Sequence, residues 1–216
     1  MLSWQTKQNA KVVGSMYILT QSGSLENIRD TVYQVHNADL ERSYLESGYH
    51  QNERIYNLKA HHKEFVIVCP EFRKSGTAPI VLIPDFLIPG RPYPIYVYMY
   101  AIEIYSSSPE KGQRFAAEAT RKQFGLTSFA HTTLGRALKS LIRSISEPVD
   151  IQEEQVDIAH STAVIFPTVH STAVIRKEAL SFLRKLSSSW ANLQEKLNAF
   201  CKLAKHHFIA HSRFLL

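Results

Sequence analysis

The sequence predicts a mainly α-helical protein with a small β element, and three observations carry that prediction. Leu134, Ala137, Leu138, Leu141, Ile142 and Ile145 recur at the spacing of one buried helix face. Two more apolar stripes of the same period follow, one through Ile175, Ala179, Phe182, Leu183, Leu186 and Trp190, the other through Leu193, Leu197, Phe200, Cys201, Ala204 and Phe208. Only 8 glycines in 216 residues argue against a turn-rich sandwich or barrel. The predicted order is an N-terminal α/β portion, then a helix-turn-helix, then C-terminal helices.

The elements divide the chain into a scaffold (1–78), a proline-rich connector with a short helix (79–110), the helix-turn-helix (111–146), an acidic linker (147–159) and a helical segment (160–216). Residues 11–20, KVVGSMYILT, are β-branched and aromatic and read as a strand, with a turn at 21–24. Residues 25–44 carry a weak helical pattern. Residues 64–68, EFVIV, read as a second strand that ends at Cys69-Pro70. Five prolines at 79, 84, 89, 92 and 94 interrupt an apolar run, a spacing that excludes a long helix and a central strand. The expected result is an extended connector that packs Ile83, Phe86, Leu87 and Ile88 on a core.

Residues 93–105, YPIYVYMYAIEIY, satisfy two rules at once, since they alternate like a strand while Pro94 suits a helix start. Ser106 to Pro109 form a hinge into the next helix, where Phe115, Ala116 and Ala119 make a narrow apolar stripe. Gly125 stands where a left-handed helix stop is expected. Gly135, inside the following helix, fits close approach of a neighbour or simple tolerance. Residues 147–157 hold five acids and no base, as a solvated spacer would. The hexapeptide HSTAVI occurs at 160–165 and 170–175, too short to be a solenoid and more in keeping with a hairpin or helix entry. The C-terminal stripes need cover, either from residues 93–105 of the same chain, which is the preferred reading, or from a second subunit.

Charge locates the function. Residues 111–146 contain Lys111, Arg114, Arg121, Lys122, Arg136, Lys139 and Arg143 against the single acid Glu118, a net of +6 that equals the net charge of the whole chain. Residues 1–60, with six bases and six acids, add nothing to this asymmetry. A basic helix pair of this kind suits double-stranded DNA, whose phosphates reward clustered cations. Insertion of the second helix in the major groove makes His131, Thr132, Thr133, Arg136 and Lys139 the candidate base contacts, with Arg136 suited to guanine. Lys111, Arg114, Arg121, Lys122 and Arg143 are the candidate phosphate contacts. An ordinary solvated helix pair exposes the same residue types, so the competing reading is a module that docks a protein partner through its C-terminal helices.

No Gly-rich phosphate loop, G-x-S-x-G, H-E-x-x-H or cysteine pair is present, and the acids are scattered or concentrated in the linker. A non-enzymatic protein without cofactor is therefore expected. His207 and His211 stand at i, i+4 and could share a metal, but with no third ligand in evidence His206, His207 and His211 read as surface histidines near a helix end. The two cysteines cannot build a disulfide framework, and no stretch is long and apolar enough for a signal peptide or membrane span, so a cytoplasmic protein is expected.

Three stretches, VLIPDFLIPGRPYPIY, EATRKQFGL and HTTLGRALKSL, resemble a bacterial family of unknown function that joins a small zinc ribbon to a helix-turn-helix in transposon-associated proteins. The resemblance covers roughly residues 69–145, and its most specific piece is Ile83-Pro84-Asp85-Phe86-Leu87-Ile88-Pro89. It implies a helix over 93–105, a ribbon-like N-terminal portion and a DNA-binding role tied to a mobile element, with a homodimer or a transposase or recombinase as partner. Relatives carry two Cys-x-x-Cys pairs before that block, the spacing that surrounds a tetrahedral zinc. Here the first pair is missing and the second survives as Cys69-Pro70-Glu71-Phe72, which makes the ribbon degenerate and leaves only His61, His62 and Cys69 as an altered ligand set.

Overall fold

A computed structural model describes residues 15–20, 25, 30–146, 192–211 and 214–216. The chain order is β1 (Met16–Leu19), β2 (Val32–Gln34), α1 (Ala38–Glu46), β3 (His50–Ala60), β4 (Lys63–Arg73), β5 (Ile80–Ile83), α2 (Ile95–Ser107), a 3-10 turn (Pro109–Lys111), α3 (Gly112–Phe124), α4 (His131–Ser146) and α5 (Leu193–His211). Among the described residues this is an α/β fold of five helices and a five-stranded mixed sheet, which corrects the expectation of a mainly α protein. The turn expected at 21–24, the acidic linker, the HSTAVI copies and the stripe from Ile175 to Trp190 lie outside the described residues.

Strand β4 is the axis of the sheet. One edge pairs antiparallel with all of β3, from Ala60↔Lys63 to His50↔Arg73. The other edge pairs first with β2 in parallel, Val32↔Val66 to Gln34↔Val68, and then antiparallel with β5 at Glu71↔Val81 and Phe72↔Ile80. Strand β1 lies parallel to β5. Thus β4 runs through Cys69-Pro70 instead of ending there. Its Val66 N–H donates to Thr31 on the β2 side, so the N–H that Pro70 lacks would have faced the gap where β2 stops and β5 begins. A proline at that register costs no ladder bond.

The second correction is β5, a buried strand between β1 and β4 within the segment where proline spacing excludes one. Pro79 and Pro84 flank the strand without entering it. Proline lacks a donor but keeps its acceptor, and the Pro79 carbonyl accepts from Met16 N at 2.8 Å while Ile83 O accepts from Thr20 N at 2.9 Å. The weakly helical stretch 25–44 also divides, into β2 and the start of α1. There Asn37 caps the helix by accepting from Leu40 N at 3.1 Å, and Glu41 returns the bond by accepting from Asn37 N at 2.8 Å.

Helix α2 takes up residues 95–107, with Pro94 at its N-cap as the helix reading requires. Tyr96, Val97, Tyr98, Met99, Ala101 and Ile102 are all buried, and only the narrow face of Tyr100, Ile104, Tyr105 and Ser107 reaches solvent. Helices α3, α4 and α5 pack on α2, which shares one apolar core with the sheet. Helix α5 lays Leu197, Phe200, Cys201 and Ala204 into that core, which agrees with the preferred intrachain packing of the last stripe.

Two buried carboxylates hold the layers in register. Glu71 on β4, 2% exposed, is clamped by the guanidinium groups of Arg54 on β3 and Arg73. Glu103 on α2 receives Lys196 Nζ of α5 at 2.5 Å.

Candidate nucleic-acid interface

Helices α2, α3 and α4 are in mutual contact, and α3 and α4 are joined by a short turn. Helix α3 stops at Gly125, whose φ of 55° is left-handed and whose N–H returns to Arg121 O. Leu126 N donates to the same carbonyl at 3.0 Å, closing the helix end. Helix α4 opens with Thr133 N and Leu134 N donating to Ala130 O at 2.9 and 3.2 Å. Its Leu134, Ala137, Leu138 and Leu141 are buried and Ile142 packs against the core, as the periodicity predicts; the side chain of Ile145 lies outside the described residues.

The stripe on α3 is rotated from the predicted one. Phe115 is 41% exposed and lies under Lys111 Nζ, 4.7 Å from the ring centroid, and Ala119 is only half-buried. Ala116, Ala117, Thr120 and Phe124 are buried instead. Thr120 tolerates that position because its hydroxyl donates to Ala116 O at 2.7 Å, satisfying the polar group within the helix. At Gly135 an added Cβ would stand 3.2 Å from Oε1 at the tip of the flexible Gln113 side chain of α3, which can give way, so tolerance rather than close helix approach fits this glycine.

The outward face is basic. His131, Thr132, Arg136 and Lys139 are exposed and Thr133 is half-buried, all on the first three turns of α4. Lys111, Arg114, Arg121, Lys122 and Arg143 are exposed as well. Lys122 pairs with Glu118 at 3.0 Å, and this hydrogen bond, followed by the Lys122 charge, lowers the pKa of the Glu118 carboxyl. A solvated i,i+4 pair of this kind is weak and yields readily to a phosphate. Arg91, absent from the sequence-derived set, extends from the proline-rich segment over the Tyr98 ring and reaches Ser140 Oγ of α4 at 3.4 Å. Its position beside α4 depends on the fold of the 84–94 loop, which no local pattern encodes.

The zinc site implied by the resemblance does not fit these residues. Phe72, at a ligand position, is fully buried in the core, and Cys69 is buried on β4, several residues from the hairpin tip that carries His61 and His62. No group of three or more metal-binding side chains occurs among the described residues. Burial pushes the Cys69 thiol up to about 12 and raises Cys201 well above its usual range. Both thiols are therefore protonated at pH 8. A thiol reagent is expected to modify neither in the native protein and both after unfolding in guanidinium; a fast-reacting native thiol would contradict this burial.

No helix among the described residues is long and apolar enough to cross a membrane. Comparisons with protein-family models, with curated proteins and with solved structures find no match. The likeness to the transposon-associated family accordingly rests on the quoted residues alone.

Proposed function

We propose that the protein binds double-stranded DNA without catalysing a reaction, with α4 in the major groove and α3 against the backbone. One observation carries the reading: all seven Lys and Arg side chains of residues 111–146 are exposed while the apolar stripes of the same two helices are consumed by the core. Arg136 and Lys139, on one side of α4, suit base edges, with His131, Thr132 and Thr133 at the helix start. Lys111, Arg114, Arg121, Lys122 and Arg143 suit phosphates. The residues shared with the transposon-associated family add a setting, a bacterial cytoplasmic protein that is accessory or regulatory to a mobile element. The competing module that docks a recombinase through C-terminal helices is disfavoured by α5, whose apolar face is already used by α2.

Fluorescence anisotropy against random duplex DNA tests the proposal. If about four phosphates are neutralised, log K should fall against log salt with a slope of roughly −3.6. The double variant Arg136→Ala, Lys139→Ala is expected to lose DNA affinity with an unchanged thermal midpoint, since both side chains are exposed. Absence of salt-sensitive binding, or full binding by the double variant, would refute the assignment.

A further inference from the structure

The β3–β4 hairpin ends in a two-residue turn, His61-His62, with φ of 52° and 61° at consecutive non-glycine residues. Such a turn ordinarily uses Asn-Gly, although histidine is among the residues that enter this region more often than most. Contacts to the helix-turn-helix hold it there. His61 N donates to Phe124 O at 2.6 Å and His62 N to Gly125 O at 3.2 Å. The His61 ring points inward, edge-on to Phe124 and with Nε2 3.2 Å from Tyr96 Oη. The His62 ring instead lies directly over Gly125, in the space a Cβ would take, and is exposed.

This seat places His62 on the wall of a shallow cleft of about 370 Å³ whose other polar lining is Arg121, Lys122, Thr127 and Glu118. The cleft borders the turn that leads into α4. We propose that it holds one backbone phosphate of the duplex, so that the hairpin tip is a built-in second arm of the DNA interface. The inference rests on the DNA-binding reading and extends it to a part of the chain with no basic excess.

Two features make the cleft suited to an anion. The end of α3 would ordinarily present a negative dipole. Here the carbonyls of Arg121, Phe124 and Gly125 are engaged, the first by the helix's own closing bonds and the other two by the hairpin N–H groups, which reduces that opposition and leaves the attraction to the Arg121 and Lys122 charges. The backbone around the cleft is also fixed: Arg121 and Lys122 lie on the last turn of a packed helix, and the His62 N–H is tied to Gly125 O. Glu118, the one acid on the wall, is already paired with Lys122.

The test compares His62→Asn with His62→Asp in full-length protein. Both residues tolerate positive φ and both remove the imidazole, so any structural loss is shared and only charge differs. A bound phosphate makes the Asp variant bind random duplex DNA at least ~5-fold more weakly than the Asn variant at about 50 mM salt, with the gap closing at high salt. Arg121→Gln should in turn flatten the salt slope by about 0.9. Equal affinities for the Asn and Asp variants, while Arg136→Ala still impairs binding, would remove the hairpin from the interface and leave the helix-turn-helix assignment standing. If the wild-type protein shows no salt-dependent binding, both readings fall together.

Discussion

Lys196→Met is expected to destabilise the protein by about 3 kcal/mol, because it strands a carboxylate in the core. The Glu103 side chain is 10% exposed and that of its partner Lys196 on α5 is 21% exposed, with Nζ 2.5 Å from Oε1. Among the described residues Glu103 Oε2 has no hydrogen-bond partner, so there Lys196 is the main compensation available to this carboxylate. Attraction across the pair roughly offsets the desolvation of both ions, whereas removal of one leaves the whole desolvation cost of the other. Urea titration of Lys196→Met should show the loss, equivalent to roughly 6–12 °C in thermal midpoint for a domain of this size. The double variant Glu103→Gln, Lys196→Met should recover most of it, since a neutral amide costs far less to bury than a charge. Equal losses in the single and double variants would mean that solvent reaches Glu103 and that α5 is not fastened to α2 by this pair.

Legibility in the sequence followed how each element divides its polar and apolar surface. Helix α4 was readable because Leu134, Ala137, Leu138 and Leu141 face one way and Arg136, Lys139 and Arg143 the other. Helix α2 satisfies two rules because even its less buried positions, Tyr100, Ile104 and Tyr105, are apolar or aromatic, which erases periodicity. Strand β3 left no trace: as an edge strand it exposes His50, Gln51, Asn52, Glu53, Ile55 and Asn57, and only Leu58 and Ala60 are fully buried. Strand β5 was hidden by flanking prolines that act through carbonyls rather than through the missing donors. The buried face of α3 was misjudged because Thr120 counts as polar until its hydroxyl is seen to bond Ala116 O. The exposed basic residues of α3 and α4 are legible as a charge cluster, but the placement of Arg91 and His62 beside them arises only from tertiary contacts between distant segments.

The strongest of those contacts yields the second large effect, a coupling between the hairpin and the helix-turn-helix. Gly125→Ala is expected to cost about 1–2 kcal/mol for a side chain at φ 55°. The new methyl group would also enter the space of the His62 ring, which lies against the Gly125 Cα. If the tip lifts away, the bonds from His61 N to Phe124 O and from His62 N to Gly125 O are lost. At about 1 kcal/mol for each net hydrogen bond, the total comes to roughly 3–4 kcal/mol. His62→Gly alone should be close to neutral, since glycine accepts φ 61° and only the ring contact is lost. In the double variant the steric conflict is gone and the left-handed strain remains, so its loss should fall back to about 1–2 kcal/mol. Urea titrations of the four proteins measure the non-additivity, which residues in direct contact should show and remote ones should not. Additive losses would mean that the ring can rotate off Gly125 at no cost, and that the helix-turn-helix and the hairpin tip are neighbours without being fastened together.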